Sequence, residues 1–582
     1  MNDLFYLNKF FLKHKNLFIL GAIFIFISNF FALYPAEFVR KAFDSISHNI
    51  QSGTNNKSIY ILTKYSFLII LFAIIKGVFM YLMRQTIIVM SRKIECDLKN
   101  EIYIQYQKLS LDFYKKNKIG DLMNRISEDV SRVRMYLGPV IMYSINIIFL
   151  FSLVLSKMFL ISKTLSLYVL IPLPLLAITV YYVSNKINSN SELVQKQLSN
   201  ITTISQEVFS GIKIIKSFTN EKSVFNNFLA NCKDYTKKQL SLIKIEAFFL
   251  PLIVTLIGTS TILTIYIGGL ESFKGKITTG NIAEFIIYVN MLAWPVASVG
   301  WVTSIIQRAA ASQSRINSFL LLKPKITDNK KNKPFINGDI VFDKVSLIYE
   351  NTNIKAIKNI SFSIKKRTSL GIFGKTGSGK SSVANLICRL YDSSNGDIFI
   401  NNINIKNIKL SSLRQSIGYV PQDNYLFSTS ILNNIIFSNY KKNSQKINKT
   451  IKQVEMMEEI NNFQKGLNTI IGERGVQLSG GQRQRLGIAR SIYKDSEILI
   501  FDDCLSAVDT NKENKIIKNI KKLSQEKTSI IISHRISSLQ HCDKIIVLDK
   551  GQIVEKGNHE QLINKNGFYS EIYLSQMKKE ID

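Results

Sequence analysis

The stretch LGIFGKTGSGKS, residues 370–381, decides the fold of the C-terminal part of this 582-residue sequence. Its apolar start predicts a short β-strand, and the residues after the glycine-rich segment predict a helix that runs through Cys388. Gly374, Gly377 and Gly379 allow the backbone to curl so that its N–H groups point inward. The helix N-terminus adds its positive dipole end. A strand, a glycine-rich loop and a helix in this order predict a loop that binds the phosphates of a nucleoside triphosphate.

The residues around this loop predict a site for a nucleoside triphosphate and Mg²⁺. The Lys380 ammonium is expected to reach the β- and γ-phosphates, and the Ser381 hydroxyl is expected to bind Mg²⁺. Downstream, the apolar strand at 497–501 ends at Asp502, which is placed to organise the same metal ion. Between the phosphate loop and Asp502 lies the segment LSGGQ, residues 478–482.

The first 310 residues carry six long apolar stretches. A helix of about 20 mostly apolar residues crosses a bilayer, and six such helices could not all be covered inside a soluble domain of this size. The sequence therefore predicts a transmembrane domain whose partner is the lipid bilayer. The six predicted spans are residues 17–39, 59–84, 139–155, 165–183, 248–270 and 282–305.

Two long polar segments, 92–134 and 185–245, separate spans two and three and spans four and five. Both are rich in Lys and Arg, and the positive-inside rule places them in the cytoplasm together with both termini. We therefore expect a multi-pass protein of the inner (cell) membrane with a cytoplasmic C-terminal domain. Lys76 interrupts the second span, where it either takes part in function or faces a water-filled cavity or a cytoplasmic extension of the helix.

From residue 309 the chain becomes polar, and Pro324 and Pro334 mark a linker. The predicted domains are a six-helix transmembrane domain at 1–320, a linker at 321–337 and a nucleotide-binding domain at 338–582. Helical patterns between several of the following strands favour an α/β fold for the last domain. The predicted strands are 339–341, 360–364, 370–373, 398–400, 498–501 and 529–532.

The charge and the cysteines exclude other classes of protein. The net charge is +33, but Lys is abundant in turns, helices and strands alike, so we expect no nucleic-acid partner. The five cysteines are scattered and form no CxxC pair, which argues against a disulfide framework or a zinc site.

Taken with these motifs, the whole chain resembles a bacterial ABC exporter half-transporter, in which six spans are fused to one ATP-binding cassette. In that family LSGGQ caps an ATP held by the phosphate loop of a second cassette, so the resemblance implies a second half-transporter as partner. It also implies that Tyr349 stacks on adenine, that Gln422 senses Mg²⁺ and that His534 contacts the γ-phosphate. GERG at 472–475 is typical of exporters. The expected ATP-binding residues are Tyr349, Gly374, Lys375, Thr376, Gly377, Ser378, Gly379, Lys380, Ser381, Ser382, Gln422, Ser479, Gly480, Gly481, Gln482 and Asp509; the expected metal ligands are Ser381, Gln422 and Asp502.

One position departs from the family. Active cassettes usually place Glu directly after the aspartate that corresponds to Asp502, to orient and polarise the attacking water. This chain has Asp503 at that position. The catalytic residues are thus expected to be Asp503, His534 and Gln422. Two alternatives stay open. In a homodimer, Asp503 still supports ATP hydrolysis. In a heterodimer, this chain holds a site that hydrolyses ATP slowly, and its LSGGQ signature completes the fast site of the partner.

The resemblance implies an ATPase coupled to export of a hydrophobic or amphipathic drug or lipid, by alternating access from the cytoplasm or inner leaflet. A peptide is the alternative cargo. The six spans argue against a soluble ABC ATPase, and the GERG segment argues against an importer. Asp503 keeps open a regulatory or channel-like ABC protein.

Overall fold

A computed structural model of the chain describes residues 2–52, 55–328, 336–438, 442–472, 475, 478–505 and 510–581. The chain divides into two compact units. One comprises Met1–Gln107 with Ile119–Leu322, and the other comprises Lys108–Lys118 with Lys323–Asp582. The short segment Lys108–Lys118 therefore belongs to the C-terminal unit, although its neighbours in sequence belong to the N-terminal one.

The N-terminal unit is helical throughout its described residues. A 3₁₀ turn at Asn2–Leu7 precedes the first helix, and π-helical turns at Arg125–Asp129 and Tyr136–Val140 flank α6. The helices are α1 (Asn8–Lys13), α2 (Lys15–Ser52), α3 (Asn55–Lys108), α5 (Ile119–Asn124), α6 (Val130–Met135), α7 (Ile141–Ile161), α8 (Lys163–Leu170), α9 (Pro172–Ser210), α10 (Ile212–Ser217), α11 (Glu221–Phe273) and α12 (Thr279–Leu320), while α4 (Leu111–Lys116) lies in the C-terminal unit.

The prediction of six spans is confirmed. Among the described residues, six helical stretches are long and apolar enough to cross a membrane. The helices run well beyond the apolar segments, because a helix satisfies its own backbone in water as well as in lipid. Most of the interval between the predicted spans three and four is also helical: α7 ends at Ile161 and α8 begins at Lys163. Ser162 alone separates them, and its hydroxyl accepts the N–H of Leu165 at 3.2 Å, which caps α8.

Helix α12 forms much of the core of the N-terminal unit. Its residues Phe285, Tyr288, Val289 and Leu292 are fully buried against apolar side chains of α2, α8 and α9. Glu284 is buried among them, and it accepts a hydrogen bond from the Tyr288 hydroxyl at 2.8 Å. The start of α12 contacts α2 directly.

The C-terminal unit contains two sheets. Their strands are β1 (Ile340–Tyr349), β2 (Ile354–Ile364), β3 (Ser369–Phe373), β4 (Asn395–Ile400), β5 (Ile403–Asn404), β6 (Ile417–Val420), β7 (Ile498–Asp502), β8 (Thr528–Ser533), β9 (Lys544–Asp549) and β10 (Gln552–Gly557). The first sheet is antiparallel with the strand order β2-β1-β4-β5, and the second has the order β10-β9-β3-β8-β7-β6 and is parallel except for β10. Of these strands, β5, β6, β9 and β10 were not predicted.

Helices cover the second sheet, so the predicted α/β fold of this domain is confirmed. Strands β3, β7 and β8 are buried along their whole length, as expected for a parallel sheet covered on both faces. Short 3₁₀ turns lie at Ile405–Asn407, Ile436–Ser438 and Gly466–Asn468. The helices are α13 (Lys380–Ile387), α14 (Leu410–Gln415), α15 (Ile431–Ile435), α16 (Ser444–Gln453), α17 (Met457–Asn462), α18 (Gly480–Lys494), α19 (Thr510–Ser524), α20 (His559–Asn564) and α21 (Phe568–Ile581).

The order of the parallel strands decides where the polar residues meet. Strands β3, β8, β7 and β6 are neighbours, so their carboxyl ends share one edge of the sheet. The phosphate loop follows β3, His534 follows β8, Asp503 follows β7, and Gln422 lies two residues after β6. In open parallel sheets this edge is where ligands bind.

Candidate active site

The loop between β3 and α13 has a backbone that only glycine adopts without strain. Gly377 and Gly379 have φ values of 82° and 99°. A Cβ on Gly379 would lie 2.4 Å from the carbonyl oxygen of Ala356, and a Cβ on Gly374 would lie 2.3 Å from that of Leu548. The glycines therefore serve both the curled backbone and the close approach of neighbouring strands.

Lys380 begins α13 and folds back over the loop. Its ammonium donates hydrogen bonds to the carbonyl oxygens of Gly374 and Lys375, both at 2.8 Å. Burial lowers the pKa of Lys380, and the carboxylates of Asp503 and Asp502 partly offset that effect. The cation is thus held at the loop in the position where phosphate oxygens would replace the two carbonyl groups as acceptors.

Ser381 and Asp502 face each other beside the loop. The Ser381 hydroxyl donates to Asp502 Oδ1 at 3.1 Å, and the Tyr419 hydroxyl donates to Oδ2 at 3.4 Å. Burial raises the pKa of Asp502, and the neighbouring Asp503 charge raises it further. A hydroxyl and a carboxylate are hard oxygen donors, and Mg²⁺ takes one or two such protein ligands together with phosphate oxygens and water. This pair therefore fits Mg²⁺.

Asp503 makes three contacts with the predicted catalytic residues. Both of its carboxylate oxygens lie 2.9 Å from Nδ1 of His534, and Oδ2 lies 3.5 Å from Nε2 of Gln422. Its backbone is left-handed, with φ of 47°, and its N–H donates to the carbonyl oxygen of Ile532 at 2.8 Å. The carboxylate is consequently oriented by β8 through both its main chain and His534.

Tyr349 closes the site on the side of the first sheet. Its hydroxyl lies 3.0 Å from the Ser382 hydroxyl, and its ring packs edge-on against Tyr391 with 5.0 Å between the ring centres. A cavity of about 530 Å³ adjoins this ring. Of the predicted residues it brings together Tyr349, Thr376, Gly377, Gly379, Lys380, Ser381, Ser382, Gln422, Asp502, Asp503 and His534.

Other predicted residues lie away from the cavity lining. The Lys375 ammonium lies over the Phe568 ring at 5.1 Å, and Ser378 is buried inside the loop. Asp509 lies outside the described residues, as do Glu473 and Arg474 of the predicted GERG segment and Pro334 of the linker.

Three lysines of the cavity wall were missed by the sequence analysis. Lys355 and Lys358 come from β2, and Lys550 follows β9. All three bring positive charge to a cavity expected to hold a polyanion. In a sequence so rich in lysine, no local signal separates these three from the others.

The signature residues begin helix α18. Ser479 is the N-cap: its hydroxyl accepts the N–H of Gln482 at 3.2 Å, and the Gln482 side chain accepts the N–H of Ser479 at 3.0 Å. This is a complete capping box. Residues 479–482 are not among the described residues that line the 530 Å³ cavity.

Arg485, a further residue that the sequence analysis missed, holds the start of α18 in place. Its guanidinium donates to the Glu459 carboxylate at 2.8 Å, to the Glu455 carbonyl at 2.6 Å and, more weakly, to the Gly481 carbonyl at 3.4 Å. Arg485 is buried. The orientation of the signature therefore depends on an ion pair between α17 and α18.

Comparisons with known proteins agree with this architecture. Residues 18–296 match the family described as the ABC transporter transmembrane region, and residues 357–506 match the ABC transporter family. The chain belongs to the ABC transporter family. It unites the membrane region and the ATP-binding cassette in one polypeptide, and it is an ATPase coupled to transport, of the exporter type.

Several relatives match over most of their length. The multidrug resistance-like ATP-binding protein MdlA of Buchnera aphidicola (subspecies Schizaphis graminum) is 33% identical over 98% of this chain and 97% of its own. The ATP-dependent lipid A-core flippase of Coxiella burnetii is 32% identical over 88% and 86%. A solved bacterial Atm1-family ABC exporter with ATP bound has the same fold, with a TM-score of 0.80, 22% identity and coverage of 96% and 98%.

Proposed function

We propose that this protein exports a hydrophobic or amphipathic molecule, a drug or a lipid, from the cytoplasm or the inner leaflet by alternating access. The observation that carries the ATP-driven step is the single cavity that unites the phosphate loop, Asp502, Asp503, Gln422 and His534. Relatives described as multidrug resistance-like proteins and lipid flippases support the class of cargo. The positively charged segments between the spans support an inner-membrane location with both termini and the cassette in the cytoplasm.

The predicted site residues of the cavity take distinct roles in this proposal. Tyr349 stacks on the adenine ring, the loop N–H groups and Lys380 bind the phosphates, and Ser381, Asp502 and Gln422 would hold Mg²⁺. Mg²⁺ bound there would supply positive charge that stabilises the transferring phosphoryl group. Asp503 orients the attacking water and accepts its proton. The γ-phosphate is contacted by His534.

A second subunit completes the site. The chain has one phosphate loop and one LSGGQ signature, and residues 479–482 do not line the cavity formed by the described residues. We therefore propose that Ser479, Gly480 and Gly481 contact an ATP held by a partner half-transporter. The LSGGQ signature of the partner would contact the ATP bound in the cavity of this chain.

The contacts of Asp503 favour a second possibility, a slow-hydrolysing subunit in a heterodimer. Its short carboxylate is held by both oxygens against His534, at 2.9 Å. A general base has to reach the proton that it abstracts. A carboxylate that is held in this way and one methylene too short fits slow hydrolysis, while the intact signature fits service to a partner's site.

Reconstitution of the purified chain in nanodiscs tests both proposals. Export predicts ATPase stimulation by at least one member of a panel of hydrophobic drugs and lipids, measured with and without a candidate partner chain. An exporter without any stimulating ligand, in either assembly, would contradict the proposed cargo class. ATP turnover at an ordinary exporter rate by the chain alone would rule out the slow-subunit proposal.

A further inference from the structure

Helix α4 places a lysine ammonium next to the ring of Tyr349, the surface on which adenine is proposed to stack and which is called the adenine platform below. The ammonium of Lys115 lies 5.2 Å from the centre of the Tyr349 ring and 5.4 Å from that of Tyr391. The two rings meet edge-on, so one lysine contacts both members of an aromatic pair. A cation within about 6 Å of an aromatic ring centre is attracted by the ring's π-electrons.

A second lysine ties α4 to the same platform. Lys325 donates to Asp112 of α4 at 2.7 Å and to Glu350, the residue after Tyr349, at 2.5 Å. Lys116 adds a longer contact to Asp112 at 3.4 Å. Burial raises the pKa of Asp112, but the two lysines outweigh that effect and hold the pKa below its ordinary value. Asp112 is therefore an anion that these cations retain.

Tyr349 lies in the wall between two cavities. It lines the 530 Å³ cavity of the phosphate loop and also a second cavity of about 250 Å³. The second cavity is bounded by Asp112, Lys325, Glu350 and Tyr391. The contacts from α4 thus reach the platform from the side of the second cavity, while its hydroxyl contacts Ser382 on the side of the phosphate loop.

We infer that α4 supports the ring of Tyr349 from behind and that Lys115 is a positioning residue for nucleobase binding. This inference rests on the proposed role of Tyr349 in the ATP site. Without the cation, the ring loses a contact that fixes its orientation, and ATP has to order it on binding.

The expected effect is specific to the nucleobase. An exposed cation–π contact contributes about 0.5–1 kcal/mol, which corresponds to a change in affinity of about 2- to 5-fold. Lys115→Met should therefore weaken ATP by about 2- to 5-fold and leave kcat at saturating ATP unchanged. Mg²⁺-tripolyphosphate, which has no base, should bind Lys115→Met and the unmodified protein equally.

Calorimetric titration of the full-length protein with Mg²⁺-ATP and Mg²⁺-tripolyphosphate measures both affinities. Lys115→Arg keeps the charge and should restore ATP affinity, and Lys118→Met, an exposed lysine two residues beyond α4, is the matched control. Equal weakening of both ligands by Lys115→Met, or no change in their ratio, would overturn the inference.

Tyr349→Ala separates this inference from the assignment of the site. Loss of ATP affinity relative to tripolyphosphate in Tyr349→Ala, without a loss in Lys115→Met, leaves the platform in place and refutes only the role of α4. If Tyr349→Ala leaves the ratio of ATP affinity to tripolyphosphate affinity unchanged, both the adenine platform and its support by α4 are refuted.

Discussion

Replacement of Asp503 by Glu tests the departure from the family at the position proposed to activate the attacking water. Both oxygens of Asp503 contact His534 Nδ1 at 2.9 Å, and the Gln422 amide is 3.5 Å away. The carboxylate therefore stays close to the end of β8. A Glu side chain on the same backbone places its carboxylate one methylene further into the cavity, toward the γ-phosphate.

The size of the effect follows from that reach. One additional carbon–carbon bond moves the carboxylate by roughly 1–1.5 Å, and a misplacement of about 1 Å costs on the order of 10²-fold in rate. This corresponds to about 2.7 kcal/mol of activation free energy. We therefore expect Asp503→Glu to raise kcat for ATP hydrolysis by about 10- to 100-fold, with KM for ATP little changed.

The assay is phosphate release by the purified full-length protein, alone and in an assembly with a partner chain. Asp503→Asn keeps the size of the side chain but removes the base, and it should lower the residual rate. Asp495→Glu is a matched control, since Asp495 also has a left-handed backbone, with φ of 62°, but does not line the cavity. It should leave the rate unchanged.

One result would refute this reasoning. If Asp503→Glu binds ATP normally, has an unchanged melting temperature and hydrolyses ATP no faster than the unmodified protein, the reach of the carboxylate does not limit the rate. The left-handed backbone of Asp503 would then be the more important constraint, because Asp is favoured over Glu in that conformation.

Two further predictions concern stability. Gly280→Ala should cost about 1–3 kcal/mol, seen as a lower melting temperature, because its Cβ would lie 2.5 Å from the carbonyl oxygen of Arg40, whereas Gly269→Ala meets no neighbour within 4 Å and should be neutral. Glu459→Gln should cost about 3 kcal/mol by leaving Arg485 without its anion. Burial raises the pKa of Glu459, but its paired cations outweigh that and lower it. The stabilisation by ionised Glu459 should therefore be present above the ordinary Glu pKa and be lost as the pH falls through the lowered value. In thermal melts, the melting temperature of the Gln variant should lack this pH dependence.

The sequence was sufficient for the parts of the fold that depend on local signals. Six apolar stretches of membrane-spanning length predict six helices regardless of how they pack. The phosphate loop is predicted equally well, because a strand, glycines at fixed positions and a helix form one continuous segment. Asp502 was expected beside the loop because it ends an apolar strand, whereas His534 was assigned through the resemblance to the family.

Features that depend on packing were missed. Strand β5 has only two residues and β10 is of mixed polarity, so pairing with their neighbours is what defines them. Strands β6 and β9 are apolar runs that the sequence analysis overlooked. The association of Lys108–Lys118 with the C-terminal unit could not be predicted either, since it depends on contacts across more than 200 residues, such as that between Lys325 and Asp112.

The N-terminus of α18 explains why one chain can have a fully formed signature beside an altered hydrolytic position. Its capping box uses the N–H groups of Ser479 and Gln482. Helix geometry leaves the N–H groups of Gly480 and Gly481 without intrahelical partners, at the positive end of the helix dipole, where an anion is favoured. Because these donors do not line the cavity next to Asp503, a change at Asp503 leaves them intact. In the proposed dimer, hydrolysis in one cavity could therefore weaken while the signature of the same chain is retained.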